Sequence, residues 1–455
     1  MTSVNLLFHR LGVGRMKSTY LLGLILAVFS VTGLCNPHTK EAKTDDQTQE
    51  EQLGGINPAL SSIYTSNADF AFQLYKKLAS EKNQENILFS PLSISTAFAL
   101  LSLGARGTTL NETLEGLGFN LTEISEDEIH RSFQQLLRSL NIPNDDFQLS
   151  SGNALFTSKH LELLEKFQED SKLLYSTEVF PANFQDPDLA TKQINDYVKK
   201  QTQGKIINLF DRLDKSTIMV LVNHIFFKAK WETPFFSSDT VKKKFFVNEN
   251  KTVDVSMMGK DVFFTRIFQD KELFCTVVEL KYMGNAIALF ILPDIAKMKT
   301  VEDALSPEVL NKWKNSLQER QIQLYLPKFS ISGNYELEKI LPAIGIKELF
   351  TDRANLSGIS GQTKNIKISK AVHKAVMDVD ETGTEAAAAT GINFVLTSMR
   401  FPSPIVINFN RPFLVLLGDE SNIFFLAKVN NPQNEYPLEE KEEGAADKSG
   451  VKGNS

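Results

Sequence analysis

Few side chains in this sequence could carry out covalent chemistry. The six histidines are His9, His38, His130, His160, His224 and His373. None stands in a His-Glu-x-x-His motif, and the chain holds no Gly-x-Ser-x-Gly elbow, no P-loop and no Cys-x-x-Cys pair. Gly358-Ile-Ser-Gly361 has suitable residue types at the wrong spacing for a nucleophile elbow. His373 is flanked by apolar residues, which predicts a hydrogen-bonded core histidine rather than a catalytic base. A Ser/His hydrolase needs a hydroxyl activated by an imidazole, and nothing in the sequence pairs them. Cys275, in Cys-Thr-Val-Val-Glu-Leu, reads as a small buried hydrophobe on a strand, with intermolecular pairing as the alternative for an odd thiol. No metal and no cofactor is expected.

The informative stretch is one on which chemistry could be done. It runs Glu381-Thr-Gly-Thr-Glu-Ala-Ala-Ala-Ala-Thr-Gly-Ile-Asn-Phe-Val-Leu-Thr-Ser398. Ala386, Ala387, Ala388 and Ala389 favour helix. Thr384, Thr390, Ile392, Phe394 and Val395 favour strand. Gly383 and Gly391 permit bends at either end. Small side chains fit almost any packed slot. That composition suits a segment that lives exposed and later slides into a sheet as a new strand. Local sequence is satisfied equally by a short Ala-rich turn leading into a strand.

The surrounding elements must position this stretch. Ser66-Asn-Ala-Asp69 reads as a helix start, with Phe70, Leu74 and Leu78 on one face. Ser90 is placed to cap a helix with Pro91 at its first position, running apolar through Leu103. Residues 189–204 have helical spacing, with Ile194, Tyr197 and Val198 on one side. Ile218-Met-Val-Leu-Val222 is a continuous apolar run, as for a strand buried on both faces. Residues 286–293, 322–326, 405–407, 413–417 and 423–429 read as strands. Helices and strands mix without βαβ alternation, so the class is α+β.

The 455 residues would suggest about three domains by length alone, yet no interior linker and no repeat is visible. Hydrophobic content of 42% against 23% charged supports a sizeable core. A net charge of −6 argues against a nucleic-acid partner. Residues 1–35 read as a signal peptide, with Leu21-Leu-Gly-Leu-Ile-Leu-Ala-Val-Phe29 too short for a comfortable membrane span. Met16 would make the more conventional initiator. Residues 36–62 are polar and acidic and are expected to be disordered, residues 63–433 form the folded domain, and residues 434–455 form a second disordered tail. No membrane association is expected. Asn111, Asn120, Asn250 and Asn355 stand in glycosylation acceptors, with Asn355 ranked last because its turn is expected to be packed.

Glu-x-Gly-Thr-Glu-Ala-Ala-Ala-Ala-Thr resembles the hinge of the reactive-centre loop in inhibitory serpins. Leu326-Pro-Lys-Phe-Ser-Ile-Ser332, Val372-His-Lys-Ala375, Phe409-Asn-Arg-Pro-Phe413 and Phe424-Phe-Leu-Ala-Lys-Val-Asn-Asn-Pro432 extend the resemblance, which covers roughly residues 63–432. It points to the antitrypsin-like plasma group, in its antichymotrypsin and kallistatin branch. It implies a serpin fold with about three β-sheets, eight to nine helices and an exposed reactive-centre loop. It also implies a secreted, monomeric serine-protease inhibitor, trapping its target as a suicide substrate. By resemblance the hinge is Glu381, Gly383, Thr384, Glu385 and Ala386 to Ala389. Ser90, Ser93, Asn223 and His373 match the shutter beneath the central sheet. Trp231 matches the aromatic over the breach, and Lys328 is placed to pair with Glu381. In register, Thr397 and Ser398 flank the bond attacked. Thr397 suits an elastase-like protease. A shift to Leu396 or Met399 would suit a chymotrypsin-like one, and a shift to Arg400 a trypsin-like one. Residues 108–118 are acidic or neutral, against heparin activation by that helix. Lys242-Lys243-Lys244 reads as a solvated strand end, with a glycosaminoglycan contact as the lesser reading. The alternative function is a non-inhibitory serpin carrying a small hydrophobic hormone.

Overall fold

The computed structural model describes residues 58–140, 147–202, 204, 206–361, 366–384 and 405–433. Helix α1 (Pro58–Glu81) begins upstream of the expected start at Ser66. Ala59, Leu60 and Ile63 pack against the core beside Phe70, Leu74 and Leu78, and that burial carries the helix into the segment expected to be disordered. Next come β1 (Ile87–Phe89), α2 (Pro91–Ser102), α3 (Thr108–Gly116) and α4 (Glu126–Leu140). The Ser90 hydroxyl accepts from the Ser93 N–H at 3.2 Å and Pro91 holds the first helical position, so α2 starts where its cap dictates. The chain continues through β2 (Phe147–Ser158), α5 (Glu165–Tyr175), β3 (Glu178–Ala182), α6 (Pro187–Gln201) and β4 (Met219–Lys230). Then follow β5 (Val241–Asn248), β6 (Lys251–Asp270), β7 (Cys275–Lys281) and β8 (Ile287–Pro293). After these stand α7 (Met298–Ala304), α8 (Pro307–Ser316), β9 (Gln318–Pro327), β10 (Phe329–Glu336) and α9 (Leu337–Ile340). The last strands are β11 (Lys370–Val379), β12 (Gly383–Thr384), β13 (Ile405–Asn408), β14 (Phe413–Gly418) and β15 (Ile423–Val429).

The described strands form two sheets, where about three were expected. One runs β10-β11-β4-β2-β3, with β12 also on β4. The other runs β1-β15-β14-β8-β7-β6-β9-β13, with β5 also on β6. The reason for the merger is β6. Its 20 residues pair with β5 and β9 over one stretch and with β7 over the other, so two layers share one strand. A register shift between Lys260 and Phe263 lets it bend.

Alternation assigns the faces of the first sheet. Leu221, Ile225 and Phe227 of β4 join the main core with Ile94 and Phe98 of α2. Val220 and Val222 of β4, with Val372 and Val376 of β11, form a second core with Ala190, Ile194 and Val198 of α6. Helix α6 therefore lies across one face of the β4–β11 junction and α2 supports the other.

Candidate functional site

Strands β4 and β11 are parallel neighbours, in register from Val220–Lys370 to Phe226–Val376. The outer pairs β10–β11 and β2–β4 are antiparallel. Beyond Phe226, β4 continues to Lys230 without pairing with β11. There Gly383 and Thr384 pair antiparallel with Lys230 and Ala229. Strand β2 occupies the other edge of β4 along this length, so β12 stands on the β11 side, at the mouth of the junction. Gly383 has φ of 145°, and a Cβ there would lie 2.1 Å from the Ala229 carbonyl oxygen. Only glycine fits this close approach.

The mouth is anchored by Trp231. Its ring is buried and stacks on Tyr282 with centroids 4.1 Å apart. The indole N–H donates to the Asp380 carbonyl at 2.9 Å, and its backbone N–H donates to the Thr382 carbonyl at 2.9 Å. The Phe235 N–H donates to the Glu381 carbonyl at 2.8 Å. The Glu381 carboxylate takes Lys328 Nζ at 2.8 Å and the Thr240 hydroxyl at 2.8 Å. Burial alone would raise this carboxyl, but the hydrogen bonds from Lys328 and Thr240 outweigh it and hold it below the usual range. Asp380 Oδ1 accepts from the Thr382 N–H and hydroxyl, each at 2.8 Å, and from the Gly383 N–H at 3.2 Å. This Asx turn fixes the direction in which the chain leaves β11.

Below the mouth lies a buried polar cluster. His373 Nε2 accepts from the Ser90 N–H at 3.1 Å, so Nδ1 carries the proton and donates to Asn223 Oδ1 at 2.5 Å. Asn223 Nδ2 reaches the Ser93 carbonyl at 3.1 Å, the Ser93 hydroxyl at 2.7 Å and Asn153 Oδ1 at 2.6 Å. The Ser93 and Ser151 hydroxyls meet at 2.9 Å. The network joins α2 to β2, β4 and β11. Burial pushes the His373 imidazole down to about 3, helped by the nearby His224. His224, next along β4, points the opposite way, with its ring edge-on to Tyr197 of α6. Burial pushes it down to about 4, and its Nδ1 has no hydrogen-bond partner among the described residues.

The residues singled out in the sequence thus gather into two groups. Trp231, Lys328, Glu381, Gly383 and Thr384 meet at the mouth, and Ser90, Ser93, Asn223 and His373 meet beneath it. Glu385, Ala386 to Ala389, Thr397 and Ser398 lie outside the described residues. Sequence reasoning missed Asn153, Ser151, Thr240, Tyr282 and Asp380. Asn153 carried a signal, a polar residue next to the apolar run Ala-Leu-Phe, and Asp380-x-Thr-Gly383 carries an Asx-turn signal. Asn111, Asn120, Asn250 and Asn355 are all exposed. The lysine run is engaged locally. Lys242 reaches the Ser256 hydroxyl at 3.0 Å, Lys243 lies 3.5 Å over the Tyr325 ring, and Lys244 pairs with Asp254 at 2.9 Å. The Cys275 thiol is buried and pushed up to about 12, chiefly by that burial, which leaves it unreactive at neutral pH. Among the described residues no helix is long and apolar enough to cross a membrane.

Comparison with known proteins agrees with this arrangement. The family model described as Serpin (serine protease inhibitor) matches residues 65–432. Alpha-1-antichymotrypsin of Homo sapiens is 52% identical over 422 residues, covering 92% of this chain and 99% of that protein. Among solved structures, human glycosylated kallistatin superposes with a TM-score of 0.77 at 46% identity, covering 83% of this chain and 100% of that one. Human thyroxine-binding globulin complexed with thyroxine superposes with a TM-score of 0.78 at 42% identity, covering 82% and 100%. With Gly383 and Thr384 paired at the mouth of a parallel junction, a family model over residues 65–432 and these relatives along nearly its whole length, the chain belongs to the serpin family of serine protease inhibitors.

Proposed function

We propose that this chain is a secreted serine-protease inhibitor that acts as a suicide substrate. The observation that carries this reading is β12, two residues of hinge already paired with β4 where β4 and β11 part. The protease serine attacks the Thr397 carbonyl carbon, an ester forms and the Thr397–Ser398 amide breaks. The hydroxyl proton passes through the protease's own base to the leaving Ser398 amine. The freed segment then extends β12 between β4 and β11. One parallel junction becomes two antiparallel ones, which are slightly more stable per residue and pair more backbone groups. The tethered protease is carried along before its water completes hydrolysis. Thr384, Ala386, Ala388 and Thr390 take the inward positions, and none is large. The favoured targets are elastase-like or chymotrypsin-like proteases, ahead of trypsin-like ones. Mixing the protein with a panel of serine proteases and running denaturing gels tests this. A covalent complex with at least one of them is expected, and clean cleavage by all of them overturns the reading.

A second reading, a carrier for a small hydrophobic hormone, is favoured by one observation. A cavity of about 260 Å³ has Ile287, Leu289, Leu310 and Leu416 in its walls, with Arg266 and Lys314 among its polar lining. Saturable steroid or thyroid-hormone binding by a chain that forms no protease complex would establish it instead.

A further inference from the structure

The turn between β5 and β6 carries the acceptor Asn250-Lys-Thr252. Asn250 is exposed, and its N–H donates to Asn248 Oδ1 at 2.9 Å, which fixes the turn. Asn248 and Lys251, on either side of it, line a cavity of about 610 Å³. The opposite walls come from four segments distant in sequence: the α1–β1 link with Asn86, β10 with Asn334, β11 with Lys374, and the chain after β15 with Asn430.

The volume falls within the range of ligand sites, roughly 300–1,000 Å³, but the lining does not suit an apolar ligand. Val247 is the one apolar lining residue among those described. Amides dominate the rest, and each amide offers donors and an acceptor together. That is the hydrogen-bonding pattern of hydroxyl and acetamido groups on a sugar. Part of the wall is fixed in advance. Asn86 Oδ1 accepts from the Asn430 N–H at 2.8 Å and the Asn431 N–H at 2.9 Å, and Asn86 Nδ2 donates to the Asn431 carbonyl at 2.9 Å. Another part is open to a ligand. The Asn334 amide and the Lys251 ammonium are exposed and make no hydrogen bond or ion pair with the described residues.

We propose that this cleft is a carbohydrate site, and that its occupant is the N-acetylglucosamine core of the chain's own glycan at Asn250. Asn250 does not itself line the cavity, but attachment between the lining residues Asn248 and Lys251 makes the contact intramolecular. The high effective concentration of a tethered sugar allows contacts too weak to capture a free saccharide to hold it. Neither the cleft nor its occupant depends on protease inhibition.

The test is glycan release, site by site. The full chain is secreted from mammalian cells and treated with peptide N-glycosidase in its native and denatured states, and each site is followed by mass spectrometry. Asn250 is expected to be occupied. Release there should be about tenfold slower from the native protein than from the denatured one, equivalent to about 1.4 kcal/mol of seating. The exposed-site variants Asn334→Ala and Lys251→Ala, the latter keeping the acceptor motif, should each speed native release at Asn250. Both should leave release at Asn120 and the melting temperature unchanged. An unoccupied Asn250 overturns the proposal. So does a native rate equal to the denatured one, or a slow native rate that neither variant changes.

Discussion

At the scale of single residues, the two histidines of β4 and β11 make folding sensitive to acid. His373 and His224 are pushed down to about 3 and about 4 in the native chain, against an ordinary value of 6.5. Between those values and 6.5 the unfolded chain binds protons that the native chain refuses. Their contribution to stability is therefore full above pH 6.5, falls as pH drops through the window, and is gone below about 3. Each histidine contributes a slope of up to about 1.4 kcal/mol per pH unit. The melting temperature should fall between pH 7 and pH 5, ahead of carboxylates such as Glu381, whose lowered titration acts only at more acid pH. His224→Gln should flatten the decline by about half, because the His224 ring has a nitrogen unpartnered among the described residues that Gln need not mimic. A pH-independent melting temperature would refute this account. The second prediction at this scale concerns specificity. In the proposed register, Thr397→Arg would present a guanidinium to the acidic floor of a trypsin-type pocket. Inhibition should shift toward trypsin and away from elastase, with stability changed by no more than about 0.5 kcal/mol. If neither rate moves, the bond attacked lies elsewhere, and N-terminal sequencing of the released peptide would find it.

At the scale of elements, β12 is the sensitive piece of the proposed mechanism. Thr384 pairs with Ala229, whose side chain is in the main core. Alternation along the extended segment makes Thr384 the first inward position of the proposed insertion. Arginine there would have to bury an unpaired guanidinium at the earliest step, at a cost of several kcal/mol. Expressed in the barrier, that slows insertion about tenfold for each 1.4 kcal/mol. Hydrolysis of the ester uses the protease's own water and keeps its rate. Thr384→Arg should therefore turn the inhibitor into a substrate, cleaved and released, while Glu385→Arg should keep most of the trapping. Stoichiometry of inhibition on denaturing gels separates the two. An unchanged yield of covalent complex from Thr384→Arg would contradict the insertion as assigned.

At the scale of the molecule, the proposed mechanism needs the β4–β11 junction to hold the less stable of two states. A parallel pair stands where two antiparallel pairs could form, and α6 on one face and α2 on the other hold it closed. On the proposed mechanism, cutting the chain between Gly391 and Phe401 would let the segment pair there as a new strand. Each added backbone hydrogen bond is worth about 1 kcal/mol net, with buried apolar area besides. Calorimetry should show the nicked protein melting at a higher temperature than the intact one. Most nicked proteins lose stability, so a lower or unchanged midpoint would mean that the segment stays out.

The sequence alone determined what depends on a few neighbouring residues. The cap at Ser90 and Pro91, and the apolar runs of β8, β14 and β15, follow from local sterics and burial within one element. The small residues of the hinge and the acceptor motifs are equally legible, because their chemistry is in the side chains themselves. Period two also required Asn223 and His224 to face opposite sides of β4. It could not say that α2 lies on one side and α6 on the other, since that choice rests on contacts with residues far away in the chain. The same limit hid Asn153, which completes the Asn223 cluster from β2, and the early start of α1, which depends on core contacts of Ala59 and Leu60. It hid the merger of two layers through β6, because strand length is visible in a sequence and strand partners are not. Whether a hinge rests at the mouth of a junction is a matter of long-range pairing, and only the tertiary structure decides it.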